Sequence, residues 1–136
     1  PEKETIEAQV AKKNLEKRVH FLGVRSDVPN IMAALDCFLL PSLYEGLPLA
    51  LVEAQVAGIP CVISDTITRE VDLGLDLIDF RALNTDLDEW VESILTAMKK
   101  ERPNWGFRSH AVKKMGYDIK DLSNILSNIL KTCYEV

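Results

Sequence analysis

Cysteine is scarce in this chain: Cys37, Cys61 and Cys133 are far apart and odd in number among 136 residues. That excludes a disulfide framework and every common zinc spacing. Cys37 and Cys61 fall in apolar runs that read as buried strands, so the thiols read as reduced core groups of a cytoplasmic protein rather than as ligands or bridges. Positive charge is also short, with 16 Lys and Arg against 21 Asp and Glu and a net charge of −5. There is no basic stripe and no interleaving of basic and aromatic residues, which argues against nucleic acid as a partner. No apolar run approaches the roughly 18 residues of a membrane span, and nothing at the start reads as a secretory signal. A Gly-x-Gly-x-x-Gly turn is missing, which removes a dinucleotide-dependent dehydrogenase. The chain opens with a helical pattern and has no early acidic cluster after a first strand, which leaves a receiver-like module poorly supported. His20 and His110, the two histidines, read as packing or surface residues.

What is present is the makeup of a globular domain, 47% apolar and 27% charged, long enough to bury one core. Apolar runs alternate with helical patterns, the signature of strands joined by helical crossovers into a parallel sheet. The expected order begins with an amphipathic helix over Glu2 to Lys17, carrying Ile6, Val10 and Leu15, and a strand near Arg18 to Leu22 ending in a turn at Gly23. Asp27 is placed to cap a short helix with Pro29 in its first turn, and a second strand follows over Asp36 to Leu40. A helix over Leu47 to Ala57 leads to a third strand at Pro60 to Ser64. The stretch from Ile67 to Asn84 is less regular, with a small strand near Leu77 to Phe80. Thr85 or Asp86 can cap a helix reaching about Lys100, with Trp90 and Trp105 read as core anchors. A helix over Gly106 to Lys114 and a last one over Ile119 to Cys133 complete the pattern. The fold class is α/β, a Rossmann-like open parallel sheet flanked by helices.

The segment from Pro41 to Gln55 carries the most chemistry, because it sets Glu45 and Glu53 eight positions apart around a helix start. Pro48 suits the first helical turn and Gly58 the exit, and the residues between them are apolar except for Glu53 and Gln55, so the helix is expected to be buried nearly all round. A helix start leaves main-chain N–H groups without intrahelical partners and carries partial positive charge, which suits a diphosphate. Eight residues of helix set an upper scale of about 12 Å between the two carboxylates, near the reach of a sugar-diphosphate-ribose unit. Carboxylates accept hydrogen bonds from vicinal hydroxyls, so one Glu could hold the sugar and the other the ribose. The bland alternative is a solvent-facing Glu45 and a Glu53 paired with an Arg or a main-chain donor. Against it, an unpartnered carboxylate inside a greasy helix would cost several kcal/mol. The loop lies at the carboxyl end of its strand, where open parallel sheets bind ligands.

These residues carry a family resemblance. Val19-His20-Phe21-Leu22-Gly23, Asp36, Pro41-Ser42, the Glu45 and Glu53 pair with seven residues between, Gly58-Ile59-Pro60-Cys61-Val62 and Ser64-Asp65 together resemble the nucleotide-sugar-binding half of retaining glycosyltransferases of the GT-B fold, family 4. Ser64 to Val71 is similar, within that family, to exopolysaccharide and capsular polysaccharide transferases. The resemblance implies that Glu45 contacts the donor sugar, that main-chain groups around Gly46, Leu47, Pro48, Leu49 and Ala50 meet the sugar and diphosphate, and that Glu53 binds the ribose. Where many relatives have Gly, this chain has Pro48, which offers no N–H, so Leu49 and Ala50 must supply more of the phosphate binding. The main chain at Gly23 and Val24, ending the first strand, is a candidate contact for the nucleobase. The family's cationic pair lies upstream of this stretch, and neither Arg25 nor Arg69 takes its place.

The resemblance further implies a donor-binding domain over residues 1–136, a fragment whose acceptor domain and first strands are missing, with a terminal helix at 118–134 that packs toward the missing N-terminal domain. Donor binding by such a piece should be weak and transfer absent. The parent protein would use a nucleotide-sugar as substrate, need no metal or other cofactor, and work in the cytoplasm, with attachment to the inner face of the membrane compatible with its trade. Glu45 is the candidate catalytic residue in the sense of orienting the sugar. A non-catalytic doubly wound interaction module is the other reading.

Overall fold

The computed structural model describes residues 2–117; the expected helices beyond them, at 119–133 and 118–134, lie outside the described residues, as does Cys133. The elements run α1 (Glu2–Lys12), α2 (Val28–Ala34), β1 (Phe38–Leu40), α3 (Leu49–Val56), β2 (Cys61–Ser64), a 3-10 turn at Arg69–Val71, β3 (Ile78–Arg81), α4 (Leu87–Ala97) and α5 (Trp105–Lys114). The three strands form one parallel sheet in the order β1-β2-β3. Phe38 pairs with Cys61 and Leu40 with Ile63, while Cys61 pairs with Ile78 and Ser64 with Arg81. Helices lie on both faces, so the α/β class with an open parallel sheet holds.

The central strand shows why the sheet is buried. All four residues of β2 are inaccessible, as a parallel strand covered on both faces requires. Alternation sends Cys61 and Ile63 to one side, against Leu51 and Ala54 of α3, Met32 of α2 and Ala111 of α5. Val62 goes to the other side, against Trp90 and Ala97 of α4. Ile67, Val71, Leu73, Leu75 and Leu77, from the irregular stretch after β2, fill out the first of these cores. The Trp90 indole N–H donates to the carbonyl of Ala82 at 3.1 Å, so this buried ring has its polar atom satisfied.

Helix ends follow local chemistry. Asp86 caps α4 by accepting from the Asp88 N–H, and Asn104 caps α5 by accepting from the Phe107 N–H at 3.0 Å. Gly58 closes the exit of α3 with φ of 78°, a left-handed turn that favours glycine. Two arginines finish the C-terminal ends of helices far from them in sequence. Arg102 donates to the carbonyls of Ala33 in the last turn of α2 and of Leu35 just after it, and Arg108 donates to that of Val56 in α3.

Several expectations are corrected. The first helix stops at Lys12 and buries nothing, with Ile6 about half exposed. Arg18 to Leu22 is not a strand: Phe21 and Leu22 are exposed, and no strand among the described residues lies beside them to complete a ladder. Asp27 stands at the N-cap of α2 without capping it, because Arg25 takes its carboxylate in a two-pronged contact at 2.8 and 2.7 Å. Trp105 is 63% exposed and anchors no core. Helix α3 is buried on one side only, through Leu51, Val52, Ala54 and Gln55, while Leu49, Ala50 and Glu53 are exposed. Pro48 is its N-cap rather than part of its first turn.

Candidate functional site

Because the strands are parallel, the loops after β1 and β2 emerge at the same end of the sheet. Hydroxyls from the end of β2 and the loop after it hold the first loop: Ser64 and Thr66 both donate to the carbonyl of Ser42, the latter at 2.9 Å. Ser42 in turn donates its hydroxyl to a Glu45 carboxylate oxygen at 2.9 Å. Glu45 is half-buried, and Ser42 is the side-chain partner it has among the described residues. Tyr44 beside it is 87% exposed and fills no part of the loop. At Gly46 a Cβ would meet nothing within 4 Å, so the main chain there is open to approach.

The loop delivers the chain to Pro48, whose extended backbone turns into α3 without any side-chain cap. The Leu51 N–H donates back to the Pro48 carbonyl at 2.9 Å. The N–H groups of Leu49 and Ala50 have no acceptor among the described residues, and both residues are exposed. Two free donors and the positive end of the helix therefore face outward together. Proline at the cap supplies none of them.

One turn further on, Glu53 is exposed and has no side-chain partner among the described residues. The expectation of a carboxylate stranded in a buried helix is thus corrected: solvent solvates it, and no partner is demanded by burial. It does face a cleft. A groove of about 1040 Å³ opens between α2, α3 and α5, and Leu49, Glu53, Val28, Met32, Arg108 and Tyr117 are among its walls. Leu49, Val52, Glu53 and Val56 reach it from α3 at helical spacing, so Glu53 is the acidic member of an otherwise apolar stripe.

Gly46, Leu47, Pro48, Leu49 and Ala50 thus form one continuous surface between Glu45 and Glu53. Gly23 and Val24 do not join it through any described hydrogen bond. Gly23 has φ of 64° and Val24 is fully exposed, both in an irregular segment rather than at the end of a strand. Glu70 is exposed within the 3-10 turn, and Arg69 lays its guanidinium over the Phe80 ring at 4.3 Å. Among the described residues no group of three or more His, Cys, Asp or Glu side chains could hold a metal ion, and no helix is long and apolar enough to cross a membrane.

Sequence reading passed over the polar groups that fasten this site to the core. Gln55 is fully buried in α3; its side-chain amide donates to the Val71 carbonyl at 2.8 Å and its carbonyl accepts from the Leu73 N–H at 2.9 Å. The loop after β2 is therefore clamped to the helix that carries Glu53. The available signal was a lone Gln in a greasy helix.

Residues 1–108 match the family model described as glycosyl transferases group 1. The chain is 40% identical over 124 residues, 91% of its length, to a protein of Bacillus subtilis (strain 168) named as a candidate glycosyltransferase, EpsF, and covers 32% of that relative. It is 36% identical over 117 residues, 80% of its length, to the UDP-Gal:alpha-D-GlcNAc-diphosphoundecaprenol alpha-1,3-galactosyltransferase of Escherichia coli, of which it covers 30%. To the O-antigen biosynthesis glycosyltransferase WclY of Escherichia coli it is 25% identical over 135 residues, 98% of its length and 37% of that relative's. The chain spans about a third of the length of these relatives. By the span of the family match and the open parallel α/β sheet that carries the matched motifs, this chain belongs to the group 1 glycosyltransferases.

Proposed function

We propose that the chain is the nucleotide-sugar-binding part of a family 4, GT-B, retaining glycosyltransferase, a single donor domain whose acceptor side belongs to the rest of a longer protein. The observation that carries this reading is the start of α3: two unpaired, outward N–H groups at Leu49 and Ala50, with Glu45 held before them and Glu53 in a groove after them. A diphosphate at the helix end would take both donors, a sugar would lie toward Glu45, and a ribose would meet Glu53. Gly23 and Val24 retain a role in this reading only as main-chain contacts for the base.

Charge explains the chemistry. As the bond between sugar and phosphate breaks, negative charge grows on the leaving diphosphate, and fixed amide donors stabilise that charge more than they stabilise the ground state. Glu45 orients the sugar and no residue here serves as a base toward the acceptor. No resident metal or cofactor has a part in this scheme. The edge of β1, unpaired among the described residues, and the exposed Val91, Leu95 and Met98 of α4 are surfaces for the remaining strands and the acceptor domain to cover. By itself the domain binds donor weakly and transfers nothing.

We place the parent protein in exopolysaccharide or capsular polysaccharide assembly, on the cytoplasmic side of a membrane; relatives named for O-antigen biosynthesis and for transfer to a diphosphoundecaprenol-linked sugar support polysaccharide assembly in general. The test is an NMR titration of the chain with UDP-, GDP- and ADP-sugars. Amide shifts confined to Gly46 to Glu53 are expected for one of the three. A silent loop at millimolar concentrations of all three would overturn the assignment in favour of an interaction module.

A further inference from the structure

We infer that Ser64, the last residue of β2, and Thr66, on the loop after it, are positioning residues for the donor sugar: through the Ser42 carbonyl they fix the hydroxyl that aims the Glu45 carboxylate. The inference rests on the donor-site reading above and names the part of the site that sets its sugar end.

Backbone pairing between β1 and β2 ends at Leu40 and Ile63. The residue after β1, Pro41, has no N–H and cannot extend the ladder, whereas β2 continues beside β3 to Ser64 and Arg81. Without another tie, the loop from Pro41 to Pro48 would leave the sheet unheld at the point where it carries Glu45. The tie is made by side chains. Ser64, fully buried, and Thr66 place their hydroxyls 3.0 Å apart, and each donates to the Ser42 carbonyl, so both lone pairs of that oxygen are used.

A carbonyl held from two directions fixes the peptide plane and with it the direction of the Ser42 side chain. That side chain spends its single proton on one Glu45 oxygen, at 2.9 Å. The second Glu45 oxygen is left for a ligand, with the open main chain of Gly46 beside it. The relay reaches the sugar end of the site and bypasses the α3 amides, which are held by the helix itself. Changes in Ser64 or Thr66 should therefore act on the sugar and spare the diphosphate.

The test compares the affinity of UDP-galactose, GDP-mannose and ADP-glucose with that of UDP, GDP and ADP in the full-length protein, by calorimetry, for Thr66→Val, Ser64→Ala and Thr66→Ser. Thr66→Val keeps the side-chain shape and loses the proton; Thr66→Ser keeps the proton. For the nucleotide-sugar that binds, Thr66→Val and Ser64→Ala each weaken it by about two- to tenfold, the range of one ordinary hydrogen bond, and the bare diphosphate binds as before. Thr66→Ser restores the sugar-dependent part. Equal losses for sugar and bare diphosphate would mean a merely structural role and overturn the inference. So would unchanged affinities in both hydroxyl variants. Glu45→Ala separates the two levels: if it weakens the nucleotide-sugar while the hydroxyl variants do not, the relay alone is wrong, and if it too changes nothing, the donor-site reading falls with it.

Discussion

The buried side chain of Gln55 spans the gap between α3 and the main chain at Val71, donating to its carbonyl at 2.8 Å. The other end of the same amide accepts from the Leu73 N–H, and a second proton reaches the Leu51 carbonyl at 3.2 Å. One side chain thus satisfies two main-chain groups that have no water to turn to. Gln55→Leu keeps the volume and strands both groups, at a cost of about 1–3 kcal/mol each. We expect the unfolding free energy of the chain to fall accordingly, by about 2–6 kcal/mol, and the denaturation midpoint with it. A loss under about 1 kcal/mol would show that the clamp contributes little.

Gly58 and Arg108 form a second joint. A Cβ at Gly58 would stand 3.2 Å from the Arg108 Cδ and 3.3 Å from Cζ and Nε, in a backbone with φ of 78°. Gly58→Ala is expected to cost about 1–2 kcal/mol for the left-handed backbone alone, with crowding of the guanidinium added to it. What holds Arg108 against yielding is its bond to the Val56 carbonyl; its Nε is buried with no partner among the described residues and adds no tether. A double-mutant cycle with Arg108→Ala separates the two contributions: the crowding part vanishes in the double variant and the backbone part remains. Strict additivity of the two single changes would rule out the steric contact.

The parts of this fold that were legible in the sequence are those governed by neighbours in the chain. Pro60 and Asp65 bracket the buried run of β2, Asp86 stands one residue before an amphipathic helix, and Gly58 stands where α3 must turn. The Glu45 to Glu53 segment was legible for the same reason, since a loop, a cap and a helix start are local objects. What escaped depends on partners elsewhere. Arg18 to Leu22 has the apolar content of a strand, but a strand exists only beside another, and none is adjacent among the described residues. Trp105 looks like a core anchor until its face of α5 proves to be open. Arg108 reaches back 52 residues to Val56, and Thr66 reaches back 24 to Ser42, which no periodicity announces. The acidic pair was visible, and the hydroxyls that aim one of its members were not.

Cys61 gives the chain an alkaline weakness. Burial, with the nearby Cys37 adding to it, pushes the Cys61 thiol from 9.0 up to about 12. The unfolded chain therefore loses this proton near pH 9 while the folded one keeps it to about pH 12. Within that window the native state binds more protons than the unfolded state, so stability falls as pH rises, by about 1.4 kcal/mol per pH unit at the steepest. Cys61→Ala should lessen that slope, leaving the smaller part supplied by Cys37, whose thiol burial also raises, while costing some packing at every pH. Denaturant titrations at pH 8, 9 and 10 check it, and an equal alkaline slope in both proteins would assign the effect elsewhere. Peptide mapping after maleimide treatment at pH 8 should also find Cys61 unmodified in the native chain.

One of the free donors at the start of α3, the Leu49 N–H, can be removed without disturbing the helix. Leu49 is the first helical residue, its N–H has no acceptor among the described residues, and its side chain is 62% exposed. The residue before it, Pro48, already has the extended backbone that a following proline requires, with φ of −73° and ψ of 98°. Leu49→Pro therefore fits the position best suited to proline and changes stability little. What it takes away is one hydrogen bond to a charged diphosphate, a loss of about 1.5–3 kcal/mol, or about tenfold and upward in affinity. Leu49→Ala, which keeps the N–H, serves as the control and should bind nucleotide diphosphates as the unaltered chain does. Matching melting temperatures with divided affinities would tie phosphate recognition to this single amide. If Leu49→Pro binds UDP, GDP and ADP as well as Leu49→Ala, the diphosphate does not sit at the end of α3.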